Sequence, residues 1–428
     1  MQRATGERKD VTDGDGRLPL EGYRVLELGS TVAGPFCGRL LADFGAEVIK
    51  IEPADGDPLR SLGKRDEGKS LYAASLFRNK QLAAVDLRQP QGQDIARRLA
   101  AKSDFLIENF RPGTMETWAL GYDALAKVNP GLIMIRISGY GQDGPYSGRP
   151  GYGVICEAVS GLRHLTGDPD RPPGRMATST TDYITGLYAV FGAMLALEVR
   201  HRTGKGQVID AALYEAAFSF MEPHVPAYDR LGTIAMRAGS RLPGNTPNNL
   251  YPTRDGQYIH IAAGSEAVFK RVAAVLGQPE LANDPRFDKA GARVQNEDAL
   301  DEIISAWTRE HDCAGLEEKL HAAAVPAARI YTIADIFDDP HYAARGMLAR
   351  IAGGECGPVT VPAVVPRLGR TPGVLRHAGR RVGEDTRRVL RELAGYADED
   401  IAKLERDGVI ACDPHRDGAR GVEAPDAS

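Results

Sequence analysis

The sequence predicts an α/β protein: a mostly parallel sheet covered by helices on both sides, with a smaller separate module. Between Tyr23 and Ser138 short apolar strand patterns alternate with helical ones, the order that builds parallel sheets. A chain of 428 residues exceeds one typical core, which implies two domains or one large excursion. A second group of one strand and three helices, between Tyr258 and Ala324, has the size of an independent unit.

The elements follow in order. A strand over Tyr23–Leu28, a helix from Pro35 to Gly45 and a strand over Glu47–Glu52 make a βαβ unit. Pro35 suits the first helical turn and Gly45 the C-terminal stop, while Phe36, Leu40, Leu41 and Phe44 form one apolar face. A second unit comprises strand Leu82–Leu87, helix Gln91–Ala101 and strand Phe105–Glu108. A short helical piece, Tyr122–Val128, then precedes strand Gly131–Ser138. Gly139–Gly153 holds six glycines and two prolines, which excludes regular structure and marks a functional loop. Strand Gln207–Asp210 and a helix from Ala212 to about Met221 lead into the turn-rich Gly239–Pro252. The smaller module has strand Tyr258–Ala262 and helices over Ser265–Leu276, Glu297–Thr308 and Ala314–Ala324. From Pro326 strand and loop return, and a helix over Glu384–Gly395 closes the ordered chain. The polar ends, 1–17 and 413–428, read as loose tails.

A hydrophobic content of 43% with 26% charged residues is ordinary for a globular protein, and a net charge of −5 excludes the basic face that nucleic acid or an anionic membrane surface requires. Five scattered cysteines with no CxxC give neither a disulfide frame nor a zinc site, so reduced thiols in the cytoplasm are expected. No apolar run reaches transmembrane length. Gly139-Tyr-Gly141-Gln-Asp-Gly144 satisfies GxGxxG, but Pro145 follows where a dinucleotide site opens a helix. Val25–Gly29 with Glu52 lacks the glycines that admit a nucleotide. GxxxxGK[ST], HExxH and GxSxG are absent, and the nine histidines are dispersed.

Asp182 stands apart. It precedes the uncharged run Tyr183–Leu197 and follows four hydroxyl residues, Thr178–Thr181. A helix apolar on every side is expected to be buried, and Gly186, Ala189, Ala193 and Ala196 form a seam that admits another backbone. The common role for such a residue is a helix N-cap. A carboxylate held ionised beside a dry cleft is also a usable nucleophile. Arg60, Lys80, Arg88 and Arg111 fall near strand ends, where open sheets bind anionic ligands.

Together these segments resemble the family III CoA-transferases, the group of formyl-CoA, carnitine-CoA and bile-acid-CoA transferases with the 2-methylacyl-CoA racemases as a side branch. The matching blocks are Val32–Glu52, Asn79-Lys80, Glu108–Gly113, Ser138–Tyr146, Pro150–Gly153, Thr181–Leu213 and Val325–Leu348, in family order over about Leu18 to Ile410. The resemblance implies a Rossmann-like large domain (18–225 and 331–412), an inserted small domain (226–330) and an interlocked homodimer. It implies Asp182 as nucleophile and CoA contacts at Val32 and Ala33 near the thioester, Arg88 on a phosphate, Asn109, Phe110 and Arg111 around the adenine end, and Gly151 and Tyr152 in the glycine loop. No tightly bound cofactor or metal is implied; acyl-CoA and a small carboxylic acid are the substrates. Pro53 and Thr117 replace basic residues of the family pattern, and Gly153 replaces an acid. The alternative readings are a racemase, whose histidine would stand where this chain has Tyr152, and a CoA-binding protein without turnover.

Overall fold

The computed structural model describes residues 17–415, so the expected tails lie outside the described residues except at Arg17 and 413–415. Asp413 is buried, with its carboxylate 2.6 Å from Nε of Arg381. The chain forms two compact units. One takes residues up to Ser160, Met176–Met221 and those from Ala344 on; the other takes Gly161–Arg175 and Glu222–Ala343.

The first unit is built on a seven-stranded sheet. Its strands are β1 (Arg24–Glu27), β2 (Glu47–Glu52), β3 (Lys80–Val85), β4 (Phe105–Glu108), β5 (Ile133–Ser138), β6 (Val208–Ala212) and β7 (Ile410–Ala411). Their spatial order is β7-β3-β2-β1-β4-β5-β6, parallel throughout except where β7 runs antiparallel along the edge of β3. β4 and β5 are buried along their whole length, as expected for strands covered on both faces. One core contains Leu26, Ile49, Val85, Ile95 and Met134; the other contains Val25, Val48, Phe105, Ile135 and helical residues of the opposite face. The order reverses between β1 and β4, and ligands of such sheets bind beyond the strand ends at that reversal.

Helices α1 (Ala33–Asp43), α2 (Pro90–Ala100), α3 (Gly153–Val159), α4 (Thr180–Thr203) and α5 (Leu213–Phe218) place the site. The small-residue seam of α4 is its buried face: a Cβ on Gly186 would come 2.6 Å from Cδ1 of Phe36 on α1. The expectation of a helix buried all round is corrected by the other face, where Leu187, Tyr188, Phe191 and Leu195 are exposed. Tyr188 on that side still reaches protein, its hydroxyl 3.0 Å from Ser219 Oγ. By length and composition α4 is also long and apolar enough to cross a membrane, contrary to the sequence expectation, because the helix continues past both ends of the uncharged Tyr183–Leu197 stretch.

In the second unit Asn248–Pro252, expected to be turn, is a strand of an antiparallel sheet with Tyr258–Ala262 and Ala327–Arg329. Helices Glu266–Val275, Glu297–Thr308 and Cys313–Ala322 pack on it around Phe269, Phe287, Ile304 and Leu316. The C-terminal helix expected from Glu384 begins at Thr386 and continues as a π turn over Leu390–Ala394.

Candidate active site

A cavity of about 490 Å³ opens at the sheet's reversal point. Its walls are the segments after β1 and β4, the end of β5, the glycine-rich loop, Leu213 of α5 and Asp182 of α4. Eight of the nine residues singled out from the sequence meet there: Val32, Ala33, Asn109, Phe110, Arg111, Gly151, Tyr152 and Asp182. Arg88 does not line it; its guanidinium is exposed and held by Asp86 at 2.8 Å.

Asp182 is not the N-cap. The cap is Ser179, and Asp182 lies in the first helical turn. The hydroxyl run shifts the start of the helix upstream and leaves the carboxylate free of a capping duty. No cation among the described residues pairs with it, and burial pushes its pKa up to about 6. Gly153 gives it room, since a Cβ there would stand 2.2 Å from Oδ2. Cys156 on α3 is near enough that Asp182, after burial, helps to raise its thiol to about 11, which keeps that sulfur protonated.

The segment after β1 is fixed by three buried or half-buried side chains. Nζ of Lys50 donates to the Gly29 carbonyl at 2.6 Å, and the Asn109 amide both accepts from Ser30 N at 2.8 Å and donates to its carbonyl at 2.9 Å. Oδ1 of Asp57 accepts from Thr31 N at 3.0 Å while Oδ2 meets Lys50 at 2.8 Å. Thr31 has φ 68°, a left-handed conformation costly for a non-glycine residue, so these contacts hold a strained turn at the mouth of α1. Burial opposes the Lys50 charge, but Asp57, Glu27 and Glu52 outweigh it and keep the ammonium above its usual pKa. Asp57 in turn is held below its usual value by Lys50 and by the amides of Leu59 and Thr31, despite burial. The pair is therefore ionised. Lys50 and Asp57 escaped the sequence reading, although a lysine inside an apolar strand pattern was a visible signal. Asn109, expected around a nucleotide, spends its side chain on this segment.

The glycine loop is closed at its base by contact of Gly139 with Gly151, whose Cα would be 2.8 Å from any Cβ on Gly139. Its first turns are pinned by Ser138 Oγ on Gly141 N at 2.9 Å and Asp210 on Gln142 N at 2.8 Å. The loop also brings Ser147 and Arg149 to the cavity. Of the four cations expected at the strand ends, only Arg111 lines it. Arg60 makes two 2.8 Å bonds to Glu52 and one to Glu355, and Lys80 is buried 2.6 Å from Glu27. Strand-end position was readable; the local acids that consume those charges were not. No histidine lines the cavity.

The CoA-transferase family III model matches residues 20–386. The chain is 45% identical to a succinyl-CoA–D-citramalate CoA-transferase of Chloroflexus aurantiacus, across 92% of this chain and 98% of that one. It is 42% identical to the beta subunit of a succinyl-CoA–L-malate CoA-transferase of the same organism, with the same coverage. The crystal structure of a CAIB/BAIF family protein from Brucella suis aligns with TM-score 0.79 at 35% identity, covering 88% of this chain and 100% of that one.

Proposed function

Because this chain belongs to CoA-transferase family III and is a CoA-transferase, we propose that it moves CoA from an acyl-CoA to a small dicarboxylic acid with Asp182 as the nucleophile. One observation carries the reading: the half-buried Asp182 carboxylate, with no cation partner among the described residues, lies in the same cavity as the N-terminus of α1 and the glycine loop. A carboxylate partly shielded from water is a better nucleophile and, with a pKa of about 6, is still mostly ionised at neutral pH.

In this reading an Asp182 oxygen attacks the thioester carbonyl, the C–S bond breaks, and the CoA thiolate leaves a mixed anhydride. The thiolate then attacks the aspartyl carbonyl, releasing the donor acid and forming an aspartyl-CoA thioester. The acceptor carboxylate displaces the thiolate again, and the thiolate takes the acceptor's acyl group, restoring Asp182. Overall one thioester is exchanged for another of similar energy, so no further reagent is consumed. Open amides at the start of α1 suit the developing oxyanion. Val32 and Ala33 would flank the thioester, Phe110 and Arg111 the nucleotide end, and Gly151 and Tyr152 would contact CoA from the glycine loop. Arg88, outside the cavity, is left for the outermost phosphate. The racemase reading has no histidine to use in the cavity.

The same reading includes a homodimer, supported by the exposed apolar face of α4, and insertion of the second unit into the first. Incubation with succinyl-CoA followed by hydroxylamine should place a hydroxamate on residue 182, detected by peptide mass. Exchange at the wild-type rate by Asp182→Ala would refute the mechanism.

A further inference from the structure

We propose that Arg149 binds the distal carboxylate of the acid substrate and so selects dicarboxylates over monocarboxylates; this rests on the CoA-transfer reading of the same cavity. Two arginines line that cavity, Arg111 and Arg149, and neither has a carboxylate partner among the described residues. Nearby arginines are otherwise committed: Arg60 to Glu52 and Glu355, and Arg136 to Glu108 and Glu116. An unpaired guanidinium in a cavity that also holds an acidic nucleophile is a binding group awaiting an anion.

The two arginines occupy different walls. Arg111 follows β4, next to Phe110. Arg149 belongs to the glycine loop, four residues before Gly153, whose Cα abuts the Asp182 carboxylate. Four residues span at most about 14 Å of chain, and Arg149 and the reacting carboxylate line the same cavity. It is also pre-oriented. The Arg149 amide donates to the Tyr146 carbonyl at 2.8 Å, closing a turn, and the guanidinium lies over the Tyr146 ring with its carbon 3.5 Å from the centroid. Stacking occupies the flat face and leaves the edge N–H groups free, the geometry for a bidentate carboxylate contact. Pro150 stiffens the turn behind it. The relatives' names, with succinyl, citramalate and malate, share one chemistry: a second carboxylate a few bonds from the one that reacts. An acid lacking that group would leave Arg149 solvated and gain nothing from it.

The test compares wild type, Arg149→Met and Arg149→Lys. Calorimetry measures binding of succinate, propionate and CoA; isotope exchange measures CoA transfer from acetyl-CoA to each acid. Arg149→Met is expected to weaken succinate binding and raise its KM about tenfold or more, with propionate and CoA unchanged and Arg149→Lys intermediate. Equal binding of the two acids by wild type, equal losses for both in the variant, or a loss of CoA affinity instead would overturn the inference; the last would place Arg149 on a CoA phosphate. Selective, Arg149-dependent succinate binding without any CoA exchange would support the recognition role and sink the CoA-transfer reading alone.

Discussion

Gly153 abuts the carboxylate of Asp182: a β-carbon at position 153 would stand 2.2 Å from Oδ2 and 3.1 Å from the carboxyl carbon. The atoms that must give way are the end of a side chain, not backbone. Gly153→Ala should therefore rotate the carboxylate and leave the fold intact. The expected result is a fall in kcat of about tenfold or more, since misplacement near 1 Å costs up to about a hundredfold, with Tm within a few degrees of wild type. Unchanged kcat would show that the carboxylate has freedom to spare.

The pH profile follows from the same carboxylate. A nucleophile with a pKa of about 6 loses activity as pH falls through that value, so kcat/KM should drop with unit slope below about pH 6. The stability consequence has the opposite sense. A folded-state pKa raised above the unfolded value means the folded protein prefers the protonated acid, so ionisation costs stability as pH rises from about 4 through 6. Asp182→Asn should be more stable than wild type at pH 8 by on the order of 2–3 kcal/mol, a gain that shrinks toward pH 4. Urea denaturation at several pH values checks this.

Asp57 supports three partners, Lys50, the strained Thr31 and the Leu59 amide. Asp57→Ala would leave a buried ammonium facing Glu27 at 3.4 Å and two amides, of Thr31 and Leu59, without their acceptor. A loss of about 3–5 kcal/mol is expected. At temperatures where the variant stays folded, hydrogen exchange at residues 29–32 should rise and activity should fall with it.

Arg60 and Arg111 look interchangeable in the sequence and should behave oppositely. Arg60→Met leaves Glu52 buried without its partner and should cost about 3 kcal/mol with little change in CoA affinity. Arg111→Met should leave Tm unchanged and weaken CoA binding about tenfold. Paired thermal melts and calorimetry decide it.

The alternation of strands and helices was readable because each element is short, strongly patterned and ended by its own glycine or proline. Asn248–Pro252 was missed because it is a strand held by its neighbour Tyr258–Ala262, with turn-like composition of its own. The cap of α4 was misplaced by three residues because any of the hydroxyls before Asp182 suits that role, and packing of the seam on Phe36 sets which one is used. The cavity residues were legible as blocks in order, yet Arg149 was not singled out, because only in three dimensions does this exposed arginine turn out to line the cavity without a carboxylate partner.

By itself the sequence determined the parallel α/β architecture, the uncharged helix behind Asp182 and the glycine loop, since these depend on local preference and periodicity. The tertiary structure decided which charges remain available. Arg60, Lys80, Arg88, Lys50 and Asp57 find partners of opposite charge distant or near along the chain, whereas Asp182, Arg111 and Arg149 find no such partner among the described residues. The physical reason is that a charge's chemistry is set by what surrounds it within a few ångströms and by how much water reaches it. Neither quantity is a property of the residue's place in the chain.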